Sequence, residues 1–463
     1  MKTWDIIVIG AGPAGMSAAI EARRHSLSVL LLDEHAAAGG QIYKGVARAR
    51  PRLFAGLGPS YVVGREIVLS FETCGAVHVR GASVWHIDPD GQVTWSQEGT
   101  ARQAKAKRII IATGAQERPF PIPGWTLPGV MSAGAAQIAL KTGESAAPGA
   151  VFAGSGPLLL LVAAQYLRLG VPVRAVIDTT PPANYFRALA HPKSLASGVG
   201  LLTTGLGLLW RIRRAGVPIY FGAGDIRASG TDRLEAMEFR HAGRVRRLEV
   251  NNLFLHQGVI PNASLAVAAG CRRVWDQDQL CWRVEADDEG RTSERPILLA
   301  GDASRIIGAE CAPLSGRLSA LAAAHDLGRI DEGAFRRDVA ALKAELKRKT
   351  AARVFVDTLY RPSDAARIPS DPQTVICRCE SVRADDARLF ARSGGLDINQ
   401  FKSEQRCGMG PCQGRMCALT LGAIVGSEVG RDAALLAPPR ARPPICPVPL
   451  GELASLAAKS ERA

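Results

Sequence analysis

The stretch Trp4-Asp-Ile-Ile-Val-Ile-Gly10-Ala-Gly12-Pro13-Ala14-Gly15-Met16 decides the fold. Residues 4–9 read as a short apolar strand, and Met16 to Arg24 carries a helical pattern. Between them, Gly10 permits a tight turn, Gly12 lets backbone approach a pyrophosphate, and Gly15 lets the helix pack on the strand. The helix N-terminus offers free amide N–H groups and a positive dipole end to phosphate. A second apolar run, Val29 to Leu32, ends at Asp33-Glu34, where an acid accepts hydrogen bonds from ribose hydroxyls. Strand, glycine turn, helix, second strand and acid in register predict a dinucleotide-binding unit.

Three later segments bear on which dinucleotide. Gly39-Gly40-Gln41 follows the second strand, where glycine lets backbone run under a ligand. Ile109-Ile-Ile-Ala-Thr113-Gly114 is a buried strand ending in a small-residue turn. Ile297-Leu-Leu-Ala-Gly301-Asp302 is another, followed by a helical stretch through Gly316-Arg317. Separated by long insertions, these pieces resemble the FAD-binding pattern of flavoproteins with two dinucleotide-binding domains. That resemblance implies that Asp302 binds the flavin's ribityl chain; alone, it would read as a turn residue.

Inside the insertion, Val151-Phe-Ala-Gly154-Ser-Gly156-Pro-Leu-Leu159 repeats the strand–turn–helix signature, and a strand from Val173 to Ile177 ends at Asp178. Leucine at the third glycine position holds the helix off the strand, which leaves open NAD(P), another nucleotide, or a relic domain. Gly258-Val-Ile-Pro261-Asn262 resembles the hinge by which such flavoproteins return to the first domain. No Cys-x-x-Cys or Cys-x4-Cys lies near the first glycine turn or in the second domain, so a disulfide reductase would lack its redox pair. Cys74, Cys271, Cys281 and Cys311 read as small core hydrophobes. The apolar stretch Leu195–Trp210 is too short to span a bilayer. It reads as one or two packed helices, with a partner- or membrane-surface helix as the alternative.

Near the C-terminus, Cys377-Arg-Cys379 is followed by Cys412-Gln-Gly-Arg-Met-Cys417. Four soft sulfurs complete a site for zinc or an iron–sulfur cluster. Cys-x-Cys is tighter than the usual zinc spacing and suits adjacent sulfurs on one iron, which favours a 2Fe–2S cluster. The loop Gly408-Met-Gly410-Pro411 offers N–H groups to those sulfurs. Ser381 to Gly395 reads as a helix anchored by Leu389 and Phe390, and a second runs from Cys417 to Val425. Cys407-x4-Cys412 also forms a pair, so five thiols compete for four positions.

The whole chain, 463 residues at 47% hydrophobic and 22% charged, has room for three domains. A net charge of +14 suits an anionic membrane leaflet, an acidic partner, or merely solvated arginine-rich helices such as Arg336 to Arg353. No aromatic-interleaved basic run appears, which argues against nucleic acid. The N-terminal apolar run is too short for a signal peptide, so the expected compartment is cytoplasmic and reducing, with at most peripheral contact on the inner membrane face.

Ala112-Thr-Gly-Ala-Gln-Glu-Arg-Pro119 and Pro123-Gly-Trp-Thr-Leu-Pro-Gly-Val-Met131 resemble the flavoprotein subunit of the opine oxidases, hydrogen cyanide synthase and the hydroxyproline or proline dehydrogenase complexes. Gly408 to Cys417 is similar to the bacterioferritin-associated-ferredoxin type of 2Fe–2S domain. The resemblance selects Cys377, Cys379, Cys412 and Cys417 as ligands and leaves Cys407 as an extra thiol. It implies an α/β fold: a Rossmann-like FAD domain (1–118 and 265–330), an inserted NAD(P)-like domain (119–264), a helical linker (331–370), a small helical 2Fe–2S domain (371–430) and a tail (431–463). It further implies a D-amino-acid-oxidase-like catalytic partner, an acceptor that is a quinone or a small ferredoxin-like subunit, and FMN at the contact between chains in some complexes. A self-sufficient NAD(P)H-dependent FAD oxidoreductase and a redox-sensing regulator are the competing readings.

Overall fold

The computed structural model describes residues 2–143 and 146–460. Its first sheet is built from β1 (Thr3–Ile9), β2 (Val29–Asp33), β3 (Val77–Arg80), β4 (Ser83–Ile87), β5 (Gln92–Gln97) and β6 (Thr100–Ile111), in the order β3-β2-β1-β6-β5-β4. The strand Ile297–Leu299 returns from far along the chain to pair in parallel with the end of β6. Alternation in β1 explains the layering. Ile6 and Val8 enter the core beneath the helix Pro13–Arg24, while Ile7 and Ile9 enter the opposite core with Leu30, Leu32, Ile109 and Ile111. Each fully buried Ile or Leu contributes about 1.5–3 kcal/mol, so a one-residue slip in register would be prohibitive.

Register brings the sequence-distant turns together. Ile9 stands opposite Leu32 and Ile111, and Leu299 opposite Ile111. Gly10, Asp33, Ala112 and Ala300 therefore emerge side by side at the carboxyl edge of one sheet, the edge where open α/β sheets bind ligands.

The ribbon β7 (Ala115–Glu117) leads into an inserted domain, and β16 (Val259–Pro261) leads back, the two strands pairing antiparallel. Between them lie β8 (Val130–Ser132), β9 (Ala150–Ser155), β10 (Val173–Asp178), β11 (Ile219–Phe221) and β15 (Leu253–Gln257), a parallel sheet in the order β11-β10-β9-β15-β8. An antiparallel sheet of β12 (Gly224–Ser229), β13 (Ala236–His241) and β14 (Arg244–Glu249) covers part of it. The stretch expected as packed helices forms Pro192–Ser197 and Val199–Arg214. Only Leu208 and Ile212 of the longer helix are buried among its large apolar side chains, while Val199, Leu201, Leu206 and Trp210 are exposed.

After the helix Ala312–Asp326, the helices Glu332–Thr350 and Arg353–Leu359 lead to a small C-terminal unit. Its core holds Ile376, Phe390, Phe401, Leu421 and Ile424 together with three cysteines. Leu389, expected as an anchor, lies exposed, because only Phe390 falls on the inward face of the helix Ala384–Arg392. The last segment runs back to the first sheet, where Ile445 N donates to Trp85 O at 3.2 Å and Ala101 N to Ser455 Oγ at 3.2 Å. No described helix is long and apolar enough to cross a membrane.

Candidate functional site

The first glycine turn separates packing from ligand space. A Cβ on Gly15 would lie 1.9 Å from Gly10 O, so this glycine is required by the helix resting on the turn. Gly12 is different. It caps the helix in ordinary extended geometry (φ −75°), and a Cβ there would meet no protein atom within 4 Å. Nothing in the fold asks for glycine at Gly12, whereas an approaching pyrophosphate does. Gly40 presses on it, with a Cβ position 2.8 Å from Gly12 Cα, and Gly39 N donates to Ala11 O at 2.8 Å. The loop carrying Gln41 is thus tied to the glycine turn.

The acids divide their work. Asp33 is buried, and its two oxygens accept from Ala11 N and from His35 N (2.7 Å), bracing the glycine turn against the strand end. Glu34 is exposed and among the described residues meets only His35, at 3.7 Å, so the freer carboxylate at this edge is Glu34. Thr113 Oγ1 donates to Asn262 O at 2.8 Å and Asn262 N to Gly114 O at 2.9 Å, locking that turn to the returning ribbon. One oxygen of Asp302 accepts from Ile307 N (2.8 Å) and Gly308 N (3.0 Å); burial pushes its carboxyl up. The other oxygen has no donor among the described residues. Open space at Gly12 and a half-satisfied acid fit a bound flavin dinucleotide.

The second glycine turn is more crowded at its second glycine. A Cβ on Gly156 would lie 3.0 Å from His256 Nε2, whereas the close approach of Gly154 to His256 O (1.7 Å) parallels that of Gly10 to Ala112 O (2.6 Å) in the first turn. His256 is buried, held through Nδ1 by Glu117 Oε2 at 2.6 Å, while Glu117 Oε1 accepts from Gly134 N at 2.6 Å. The imidazole anchored to the ribbon thus packs against the second glycine of this turn, where the first turn has open space at Gly12. Asp178 is buried beside it and accepts from Thr180 N.

Neither His256 nor Lys141 stands out in the sequence. Lys141 Nζ reaches from the inserted domain to Gln41 O (2.9 Å), Ile42 O (2.8 Å) and Gln137 Oε1 (2.9 Å). Burial pulls its ammonium down to about 7. The one signal it carries is that of a lone cation in an otherwise apolar helix, Ala133–Thr142.

The five thiols form two groups. Cys377, Cys407 and Cys417 are buried with their sulfurs within 4.8 Å of one another. Cys379, exposed, faces Cys412. Cys-x-Cys therefore does not present its sulfurs as one adjacent pair, because the strand Val375–Cys377 ends at its first cysteine and the chain turns. Hydrogen bonds from the Cys407 and Cys417 thiols, with N–H groups of Gly408 and Glu380, pull Cys377 down to about 2. The same bonds to Cys377 push the Cys407 and Cys417 thiols up. Three buried sulfurs this close together suit a metal, since soft sulfur donors are deprotonated on ligation. Gly410 lets the loop close, its Cβ position being 2.1 Å from Cys379 Cβ. This loop docks on the ribbon, where Gln116 Nε2 donates to Arg415 O at 3.1 Å, and the strand Val375–Cys377 docks on the inserted domain, where Trp125 Nε1 donates to Val375 O at 2.6 Å.

Fold and site define a flavin oxidoreductase with two dinucleotide-binding domains. The chain belongs to the pyridine nucleotide-disulphide oxidoreductase family, whose family model matches residues 4–328. The sarcosine oxidase A3 domain matches residues 372–458, taking in most of the segment read from sequence as a separate tail. The A-type subunit of opine oxidase from Agrobacterium tumefaciens (strain Ach5) is 39% identical over 98% of this chain and 92% of its own. Hydrogen cyanide synthase subunit HcnB of Pseudomonas aeruginosa is 32% identical over 97% of this chain and 98% of its own. The crystal structure of L-proline dehydrogenase from P. horikoshii superposes with a TM-score of 0.73 at 20% identity, covering 97% of this chain and 79% of that one, a likeness of fold.

Proposed function

We propose that this chain is the electron-transferring flavoprotein subunit of a multi-subunit enzyme that oxidises an amine or amino acid of the opine, proline or glycine type. The observation carrying this reading is the contrast between the two glycine turns, one open at Gly12 and one with the His256 ring packed against Gly156. Electrons then enter from a partner subunit rather than from a nicotinamide in the inserted domain. That partner is of the D-amino-acid-oxidase type, and FMN at the contact between subunits belongs to the same reading. FAD, when bound, accepts an electron pair and releases electrons singly to a one-electron carrier.

Gly12, Ala14 and Gly15 would hold the pyrophosphate through backbone N–H groups, with Gly10 making the turn and Pro13 starting the helix; Glu34 with Asp33 would hold the ribose end, Gly40, Gln41, Thr113 and Gly114 the middle, and Gly301-Asp302 the ribityl chain. Cys377, Cys379, Cys412 and Cys417 would hold a 2Fe–2S cluster, with Cys379 and Cys412 as one pair and two buried sulfurs as the other. The contact between Gln116 and the cysteine loop supports transfer from flavin to cluster, since the ribbon leaves the flavin-binding sheet directly after Gly114. The acceptor is a quinone or a ferredoxin-like subunit, and the compartment is cytoplasmic.

Anaerobic mixing tests the reading. The flavin absorbance of the purified chain should persist on adding NADH or NADPH and bleach when the catalytic partner is supplied with an opine or imino acid. Rapid bleaching by NAD(P)H alone would overturn it in favour of a self-sufficient reductase.

A further inference from the structure

We propose that the outer face of the inserted domain, formed by the helices Pro182–Leu189 and Val199–Arg214, seats the protein on the anionic surface of a phospholipid bilayer. Residues 179–224 contain no Asp or Glu, but they hold Arg187, Lys193, Arg211, Arg213 and Arg214, all exposed. None of these five cations is ion-paired among the described residues. Lys347 and Arg348, at the end of the helix Glu332–Thr350, line a cleft with Ser197 and extend the basic rim.

The apolar component is ordered along the helix. Val199, Thr203, Leu206 and Trp210 fall at helical spacing on one face, opposite Leu208 and Ile212, which are buried beneath the helix. Leu206 is 63% exposed and Trp210 58%, with the Arg214 guanidinium 5.1 Å from the Trp210 ring. The helix Pro182–Leu189 adds Tyr185, Phe186 (76% exposed) and Leu189, joined to the first through Pro192–Ser197. An aromatic and aliphatic stripe flanked by arginine is the composition of a helix lying in a membrane interface.

The polar groups favour a fluid surface over a protein partner. Specific protein interfaces carry about ten direct hydrogen bonds that fix register. Here the Thr203 and Thr204 hydroxyls are both engaged with Gly200 O, at 3.0 and 2.8 Å. What remains outward is cationic and apolar, complementary to headgroup phosphate and acyl chain.

The purified full-length chain would be sedimented with vesicles of phosphatidylcholine alone and of phosphatidylcholine mixed with phosphatidylglycerol, at low and high salt. Binding is expected to the anionic vesicles at low salt, little to the neutral ones, and release by salt. Arg211→Glu combined with Arg213→Glu and Arg214→Glu should weaken partitioning by at least about a hundredfold. Leu206→Ser with Trp210→Ser should weaken it on every anionic vesicle, with flavin content unchanged as the control for folding. Failure of the wild type to sediment with anionic vesicles at low salt, or variants that bind as it does, overturns the proposal. If the Leu206/Trp210 variant keeps vesicle binding but loses self-association, the face is a contact between copies of the chain and the proposal also falls.

Discussion

Gly12→Ala and Gly15→Ala differ by one methyl group at positions three residues apart, yet the structure assigns them opposite consequences. The Gly12 Cβ would meet no protein atom within 4 Å, and its backbone lies where any residue is comfortable. Alanine there should cost the apoprotein no more than about 1 kcal/mol, the difference between glycine and alanine at an N-cap. With a pyrophosphate in the turn, the same methyl occupies the line of approach. Losing two charge-assisted hydrogen bonds from the helix N-terminus costs about 3–6 kcal/mol, a roughly 10²–10⁴-fold weaker flavin affinity. Gly15→Ala instead drives Cβ to 1.9 Å from Gly10 O, well inside contact distance, so helix and strand must separate. That overpacking reaches or exceeds about 3 kcal/mol, and the apoprotein itself should melt early. The assay is flavin-to-protein absorbance ratio after purification, titration of apoprotein with FAD, and thermal melting of both apoproteins. A Gly12→Ala protein that retains flavin at the wild-type ratio would refute the assignment of this turn to the pyrophosphate. So would a Gly12→Ala apoprotein as destabilised as Gly15→Ala.

Gly156→Ala should behave as a packing variant, losing stability by about 1–3 kcal/mol through its left-handed backbone (φ +127°) and the His256 ring, with flavin content unchanged; flavin loss without destabilisation would contradict this. Serine at Cys379, Cys412, Cys377 or Cys417 should remove the iron, measured as iron per chain and by electron paramagnetic resonance after reduction. Cys407→Ser should keep it, because a hydroxyl preserves the donor to Cys377; the converse pattern for Cys407 and Cys417 would show the ligand set to be wrong. Lys141, pulled down to about 7, binds fewer protons folded than unfolded between about pH 7 and its ordinary value near 10.4, so stability should rise with pH across that window. The slope should approach at most about 1.4 kcal/mol per pH unit in denaturant melts and vanish in Lys141→Met; an unchanged slope in the variant would count against the assignment.

The flavin half of the fold was readable because each turn follows a strand of uninterrupted apolar residues, and parallel strands buried on both faces announce themselves in that way. Val29–Leu32, Ile109–Ile111 and Ile297–Leu299 all do so. The crowded second turn was half readable. Leu159 signalled an altered pocket, but the group that packs against it, His256, lies about a hundred residues later in an ordinary strand and is delivered only by the pairing of β15 with β9. Lys141 escaped for the same reason, since two of its three partners, Gln41 O and Ile42 O, belong to the flavin domain. The grouping of thiols also lay beyond spacing. Cys377 and Cys379 would share a strand face if the strand continued, and only its termination at Cys377 splits them between a buried triad and an outer pair.

The duplicated glycine turn bears on the proposed need for a partner. On that reading the first turn takes the flavin and the second, crowded by His256, takes no nicotinamide. Here the ribbon joining the two domains carries Glu117, which fixes His256 into the second turn, and two residues earlier the same ribbon begins at Ala115, directly after the Thr113-Gly114 turn of the first. Its other face receives the cysteine loop through Gln116. Three consecutive residues therefore serve the flavin edge, the cysteine loop and His256. Glu117→Ala would release His256 from its carboxylate anchor without touching the Gly12 turn, so flavin content should hold. Any gain of NAD(P)H-driven bleaching in that variant would show that His256, rather than the missing third glycine at Leu159, closes the second turn to nicotinamide. No gain would assign the closure to Leu159, and bleaching already present in the wild type would refute it.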